Sequence, residues 1–383
     1  MTATAEQIAF WICVSLLAYV YVGYPLVVWL ASVLFAKPVK ASKIEPNVTI
    51  LITAFNEEAA IREKLVNTLA IDYPAAKKEI LVASDGSTDA TEKIVREFAD
   101  QGVKLFRQEG RVGKTTTQNN AVEVATGEII LFSDATTLYS KDVFEHILPA
   151  FADDTVGCVA GRLVYIDNDE TTVGRGAKSY WSYETFIKTA ESEACSLIGA
   201  SGCLYAVRKS AYEPMYAEAC SDFLICTNLY RQKYRSVFAP DAVCYEHTNR
   251  KANDELRMRV RVISQTFTDL WRNRDMLDPF KSGFFAVELI SHKVLRYAVP
   301  LLLAGTLISS IVLAKSSMIY TGIASVQILF YVLALAGWIL ERANLRPSLL
   351  AMPLYFVLAN LASVVAFYKF LRGETYARWE PIR

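Results

Sequence analysis

Three aspartates sit where a carboxylate can do chemistry: Asp85 in LVASDGSTD, Asp134 in IILFSDATT and Asp222 in EACSDFLIC. The first two each close a β-like apolar run, the place where open α/β sheets present ligand-binding loops. Asp85 precedes Gly86, which lets a backbone come close to a ligand, and its carboxylate suits a nucleobase imide or ribose hydroxyls. The same DGST string also makes a helix-capping turn. Asp134 offers hard oxygens for Mg²⁺ or Mn²⁺ against a diphosphate. Asp222 opens a helix whose Phe223, Leu224 and Leu229 face inward, so its carboxylate points to the sheet edge as a general base would, or as a helix cap.

The elements that must hold these residues alternate. VTILITAFN reads as a buried parallel strand, EEAAIREKLVNTLAI as a helix with Ile61, Leu65 and Leu69 on one face, and EILVASD as the next strand. TDATEKIVREFADQG follows as a helix, with Thr88 its expected N-cap and Gly102 its stop. VKLFRQE, TTTQNNAVEVATG and EIILFSD continue the pattern, which predicts a doubly wound, mostly parallel α/β sheet with flanking helices.

Further motifs lie between these elements. EGRVGKTTTQNNA fails the phosphate-loop pattern because Gln108 stands where glycine is required, yet Lys114 remains suited to a phosphate or base. Glu57, just past the first strand, joins Asp85, Lys114 and Asp134 as a candidate ligand contact. SLIGASGCLYAVRKSAY follows a helix bearing Trp181, Tyr183 and Glu184. Its Gly199, Ser201 and Gly202 allow close approach to a sugar, and Trp181 can stack on a pyranose or simply pack in the core. In ELRMRVRVISQ, Arg257, Arg259 and Arg261 bring positive charge just before the membrane, for a departing diphosphate or for lipid headgroups.

Lys and Arg total 40 and so do Asp and Glu, so no net charge draws nucleic acid. Seven cysteines without a CxxC pair read as buried free thiols, and three histidines make a His-rich zinc site improbable. The 53% hydrophobic content concentrates at the two ends. Ala9 to Ala36 is long and apolar enough to cross a bilayer, and three more such stretches run over about Tyr297–Ala314, Ile319–Leu340 and Leu349–Phe370. Lys37, Lys40 and Lys43 place the middle domain in the cytoplasm at the inner (plasma) membrane, with Glu341, Arg342 and Arg346 in a cytoplasmic loop. Three crossings after the domain would leave Lys369, Arg372, Arg378 and Arg383 outside, against the same charge rule, unless the last span is re-entrant. The expected divisions are 1–44 for the first helix and linker, 45–280 for the cytoplasmic domain with interfacial helices at its end, and 281–383 for about three transmembrane helices.

The ordered set SDGSTD, SDAT, a small-residue loop, SDF and a basic motif before membrane helices resembles glycosyltransferase family 2, in particular its membrane-integrated cellulose, chitin and hyaluronan synthases. The resemblance implies a GT-A fold, a nucleotide-sugar donor and a divalent metal, Mg²⁺ or Mn²⁺. It assigns Asp85 to the nucleotide, Asp134 to the metal and Asp222 to the general base. Thr136 stands in place of the second metal-binding acid, Cys220 and Ser221 replace the residues before the base, and the family's Gln and Trp near the arginines are out of register. The expected function is inverting transfer, from a UDP-sugar above all, to a growing β-linked polysaccharide or glycan. The alternative is single-sugar addition to a lipid-linked acceptor, and a wider channel would need homo-oligomers. A transporter or scaffold role is disfavoured because the spans carry no ionisable pathway.

Overall fold

The computed structural model describes residues 4–166, 172–247, 252–343, 345 and 347–378, so the topology markers Arg346 and Arg383 lie outside the described residues. Eight strands form one sheet: β1 (Val48–Ala54), β2 (Lys78–Ser84), β3 (Val103–Arg107), β4 (Ile129–Asp134), β5 (Leu138–Tyr139), β6 (Val156–Ile166), β7 (Tyr205–Arg208) and β8 (Arg235–His247). Their order is β3-β2-β1-β4-β7-β6-β8-β5. The first four are parallel, as the alternation predicts. β7 then runs antiparallel to both β4 and β6, while β6 and β8 pair in parallel. The sheet is therefore mixed, and its second half comes from a region with no repeating strand–helix signal.

All seven residues of β1 are buried, which is why it reads as an unbroken apolar run. Val48, Ile50, Ile52 and Ala54 face one core and Leu51 the other. Each fully buried Ile or Leu contributes roughly 1.5–3 kcal/mol. The helices are α1 (Ala5–Leu34), α2 (Ile61–Leu69), α3 (Thr91–Arg96), α4 (Lys114–Val124) and α5 (Thr172–Ala194). They continue as α6 (Ser221–Arg231), α7 (Ala252–Arg272), α8 (Phe284–Leu313), α9 (Met318–Arg342) and α10 (Ser348–Leu371). α2 turns Ile61 and Leu65 into the first core with Leu69 against it, whereas α4 and α6 cover the second through Ala121, Val122, Leu224 and Leu229.

The helix after β2 is shorter than its sequence pattern suggests. Thr88 does not cap it, because its N–H and hydroxyl both turn to Asn56 Oδ1, and Asp89 Oδ1 accepts the Thr91 N–H instead at 2.9 Å. Gly102 does end the segment, in left-handed backbone at φ 86°.

Four helices, α1, α8, α9 and α10, are long and apolar enough to cross a membrane. α8 begins at Phe284, well before the apolar stretch that announces it, since His292, Lys293 and Arg296 interrupt the hydrophobic run. Phe10 of α1 packs on Leu313 and Tyr320, while Tyr24 and Val28 at its other end pack on Ile187 and Ala190 of α5. α10 lies along α7 for most of its length, with Tyr355 and Leu358 near Ala252, Ala362 and Ala366 on Val260 and Ile263, and Phe367 and Phe370 against Phe267. Six of the seven cysteines are buried and all seven are free.

Candidate active site

The carboxyl ends of β1, β2 and β4 align, with Thr53 opposite Asp134 and Ala54 opposite Ser84. Asp85, next in the chain, is completely buried. Its Oδ1 accepts from Val112 N (2.8 Å), Gly113 N (3.1 Å) and Thr117 Oγ1 (2.9 Å), and its Oδ2 from Gly113 N (3.0 Å). A carboxylate at the first turn of α4 also complements the helix dipole. Gly86 serves the same junction: at φ 71° a Cβ would meet the Gly110 carbonyl at 2.6 Å. The close approach expected there is thus made by the protein's own loop.

α4 delivers Lys114, whose ammonium donates to Asp134 Oδ1 at the end of β4. Burial opposes the lysine's charge, but Asp134 and Asp222 outweigh burial and raise it above the ordinary lysine value. Asp222 stands in the first turn of α6. That turn is anchored by Asp269 Oδ2, which accepts the Cys220 N–H at 3.0 Å, and by the Asp222 carbonyl, which accepts from Ala200 N at 2.8 Å. The Cys220 thiol donates to Asp222 Oδ1 at 3.1 Å, and burial together with the charge of Asp222 pushes that thiol well up, so it stays a donor. Gly202 lies where these groups converge: a Cβ there would sit 3.3 Å from Asp222 Oδ2 and 3.7 Å from Lys114 Nζ.

A cavity of about 390 Å³ brings together Lys114, Asp134, Trp181, Ser201, Gly202, Asp222, Arg259 and Arg261 of the expected residues. Glu57 and Asp85 are not in its wall; the Glu57 N–H donates to Thr91 Oγ1 at 2.8 Å, tying β1's exit to α3. The three arginines do not act together: Arg259, two positions from each of the others, turns to a different side of the helix, and Arg257 stands a full turn before Arg261. Arg257 is exposed and outside the cavity. Arg259 is committed to Glu255 (2.7 Å) and to the Tyr355 hydroxyl, fastening α7 to α10. Arg261 lines the cavity close enough to oppose Lys114's charge. Trp181 lines the cavity and also packs against Tyr165 in a T-shaped pair with ring centroids 5.9 Å apart.

Several wall residues have no motif to announce them. Glu246, near the end of β8, accepts from Thr136 Oγ1 at 3.2 Å, and burial with the nearby Asp134 charge pushes it up to about 7. Thr136, in the place of a second acid, therefore recruits one from a distant strand. Asp134 and Glu246 offer a hard cation two carboxylates whose repulsion it would relieve, although no cluster of three such ligands occurs among the described residues. Lys64 on α2 donates to the Thr137 carbonyl at 2.7 Å and lies 3.6 Å over the Tyr139 ring, propping the loop after Asp134 from below. Tyr376 and Ala377 return from the end of α10 to the cavity, held by Gln265 Nε2 on the Tyr376 carbonyl at 2.8 Å.

Known proteins share parts of this sequence and its fold. The family model described as Glycosyl transferase family 2 matches residues 49–215. The beta-monoglucosyldiacylglycerol synthase of Nostoc sp. is 30% identical over 147 residues, 37% of this chain and 31% of that protein. The poly-beta-1,6-N-acetyl-D-glucosamine synthase of Staphylococcus aureus is 26% identical over 235 residues, 59% of this chain and 52% of that protein. The chain thus spans 31% and 52% of these two relatives' lengths. The mannosyltransferase PcManGT from Pyrobaculum calidifontis, solved with GDP-Man and Mn²⁺, superposes with TM-score 0.72 at 23% identity, covering 96% of this chain and 99% of that one. That likeness covers the long apolar helices as well as the sheet domain. Residues 49–215 thus match glycosyl transferase family 2, within a GT-A fold joined to apolar helices long enough to cross a membrane.

Proposed function

We propose that the protein transfers a sugar from a nucleotide-sugar donor, with inversion, to a hydroxyl of an acceptor held in the membrane. One observation carries this reading: a single cavity contains Asp222, the Lys114–Asp134 pair, and Lys293 and Tyr297 of an apolar helix long enough to span a bilayer. Asp222 removes the acceptor's proton, the oxygen attacks the anomeric carbon, and the bond to the diphosphate oxygen breaks on the opposite side. Lys114 and Arg261 meet the negative charge that develops on the departing diphosphate. Asp134 and Glu246 would hold Mg²⁺ or Mn²⁺, which when bound adds positive charge at that same diphosphate. Cys220 orients the base through its thiol. Lys37, Lys40 and Lys43 after α1 support a cytoplasmic domain at the plasma membrane, the side that supplies nucleotide sugars.

A second reading, extension of a β-linked polysaccharide, is supported by the longer match to the poly-N-acetylglucosamine synthase. The two part on product length. Purified protein with Mn²⁺ is offered UDP-, GDP- and dTDP-sugars plus membrane lipid extract, and products are weighed by mass spectrometry. A lipid carrying one added sugar is the expected product, whereas a ladder selects the polymer. Failure to bind, hydrolyse or transfer any donor would sink both.

A further inference from the structure

The cavity has two cations that the transfer chemistry leaves unused: Lys188 of α5 and Lys293 of α8 line its wall together with Asp222. Lys188 is 8% exposed; its Nζ donates to Ser201 Oγ at 2.8 Å and stands 5.4 Å over Trp181. Lys293 lies 5.5 Å over the ring of Phe223, the residue after Asp222. Neither ammonium pairs with a carboxylate among the described residues. The carboxylates of the same wall are already engaged. Glu184 holds Arg296 and lies 3.1 Å from His292 Nε2. Glu191 lies 2.6 Å from His292 Nδ1 and accepts from the Tyr24 hydroxyl at 2.5 Å.

Lys293 is placed by a local change of helix type. Residues Ile290–Val294 form a single π turn inside α8, a distortion that costs regular hydrogen bonding and is found mostly at functional positions. A lysine in an apolar helix is expensive, and such residues normally serve a ligand or a pathway. Burial lowers Lys188 below the ordinary lysine value; the attraction of Glu184 opposes this, and the like charge of Lys293 adds to it more weakly. Two cations in the wall of one cavity are relieved by an anion bound beside them.

We infer that Lys188 and Lys293 form an acceptor subsite for the phosphate of an anionic membrane lipid, which presents a nearby hydroxyl to Asp222. The inference rests on the glycosyl-transfer reading and narrows its acceptor class. A phosphate fits because each ammonium is a compact charge with free N–H donors, and the subsite opens on an apolar helix, where such headgroups lie. The donor diphosphate is provided for elsewhere, at Lys114 and Arg261.

The test is direct binding to the full chain in neutral detergent by calorimetry, with dihexanoylphosphatidylglycerol, uncharged dihexanoylglycerol and inorganic phosphate as probes. The anionic lipid should bind at least tenfold tighter than the uncharged one. Lys188→Met and Lys293→Met should each erase that preference, Lys188→Arg should retain most of it, and nucleoside diphosphate should bind all three variants as it does wild type. Equal binding of the two lipids, a preference that survives both methionine variants, or a loss of nucleotide rather than lipid affinity would overturn the subsite. Inorganic phosphate binding as tightly as the lipid would overturn the lipid assignment in favour of a soluble anion. If the lipid preference holds but no donor is ever consumed, the anion subsite stands and the transfer reading falls.

Discussion

At the residue scale, Asp222 is set apart by what surrounds it. Its neighbours hold the carboxylate toward the cavity through the Cys220 thiol and leave Gly202 empty beside it. Asp222→Asn keeps the shape and removes the basicity, so kcat should fall by about 10²–10⁴ while donor affinity stays within a factor of two or so. Near-normal turnover in that variant would transfer the role of base elsewhere. Lys64 makes a different prediction, about stability. Burial lowers it to about 7, against about 10.4 for an unfolded lysine. The folded protein then binds fewer protons than the unfolded chain between those values, so stability rises with pH across the window, and below pH 7 the full cost of burying the cation is present. The gain from pH 7 to pH 10 should be on the order of 3 kcal/mol and should vanish in Lys64→Met, whatever that change does to the absolute midpoint. Thermal midpoints of both proteins at the two pH values decide it, and parallel pH profiles would refute it.

At the scale of elements, what could be read from the chain depended on whether a residue's role is local. Four parallel strands, the face of α2 and the position of Asp222 at a helix start all follow from short-range periodicity. Glu246 and Lys188 were illegible because their partners, Thr136 and Ser201, are brought to them by sheet order and helix packing. Regular spacing even misled: Arg257, Arg259 and Arg261 alternate as strand residues would, but on α7 Arg259 turns to Glu255, Arg257 stands a turn away outside the cavity, and only Arg261 is free to meet a diphosphate. Asp85 shows the same lesson in its bonding. Its four accepted hydrogen bonds join β2 to the start of α4, which carries Lys114. Asp85→Ala would leave buried N–H groups without acceptors, at a cost of about 2–4 kcal/mol. The expected result is a melting point several degrees lower together with weaker donor binding. An unchanged melting point with lost donor affinity would instead make Asp85 a nucleotide contact alone.

At the scale of the whole molecule, the open matter is which way the chain runs through the bilayer. Four helices are long and apolar enough to cross, and three of them follow the domain. If all three crossed, the tail would emerge opposite the domain. Yet Tyr376 and Ala377 line the same cavity as Lys114 and Asp134, with Gln265 of α7 bonded to the tail. The packing offers a way out. α1 and α8 meet at Phe10 and Leu313, and the first turn of α9 joins them through Tyr320, so these three account for one entry, one exit and one return. α10 then has both ends against domain elements, near Gly176 of α5 at its start and near Phe267 and Trp271 of α7 at its finish. It lies alongside the amphipathic α7, where an interfacial helix would be placed, and leaves Lys369 and Arg372 on the domain's side in keeping with the charge rule. A reporter fused after Arg383 should therefore behave as a cytoplasmic fusion, fluorescent as green fluorescent protein and inactive as alkaline phosphatase, while a cysteine introduced at Thr4 should be labelled from outside the cell. An active alkaline phosphatase at the carboxyl terminus would mean that α10 crosses, and the tail could then no longer close the cavity that holds Asp222.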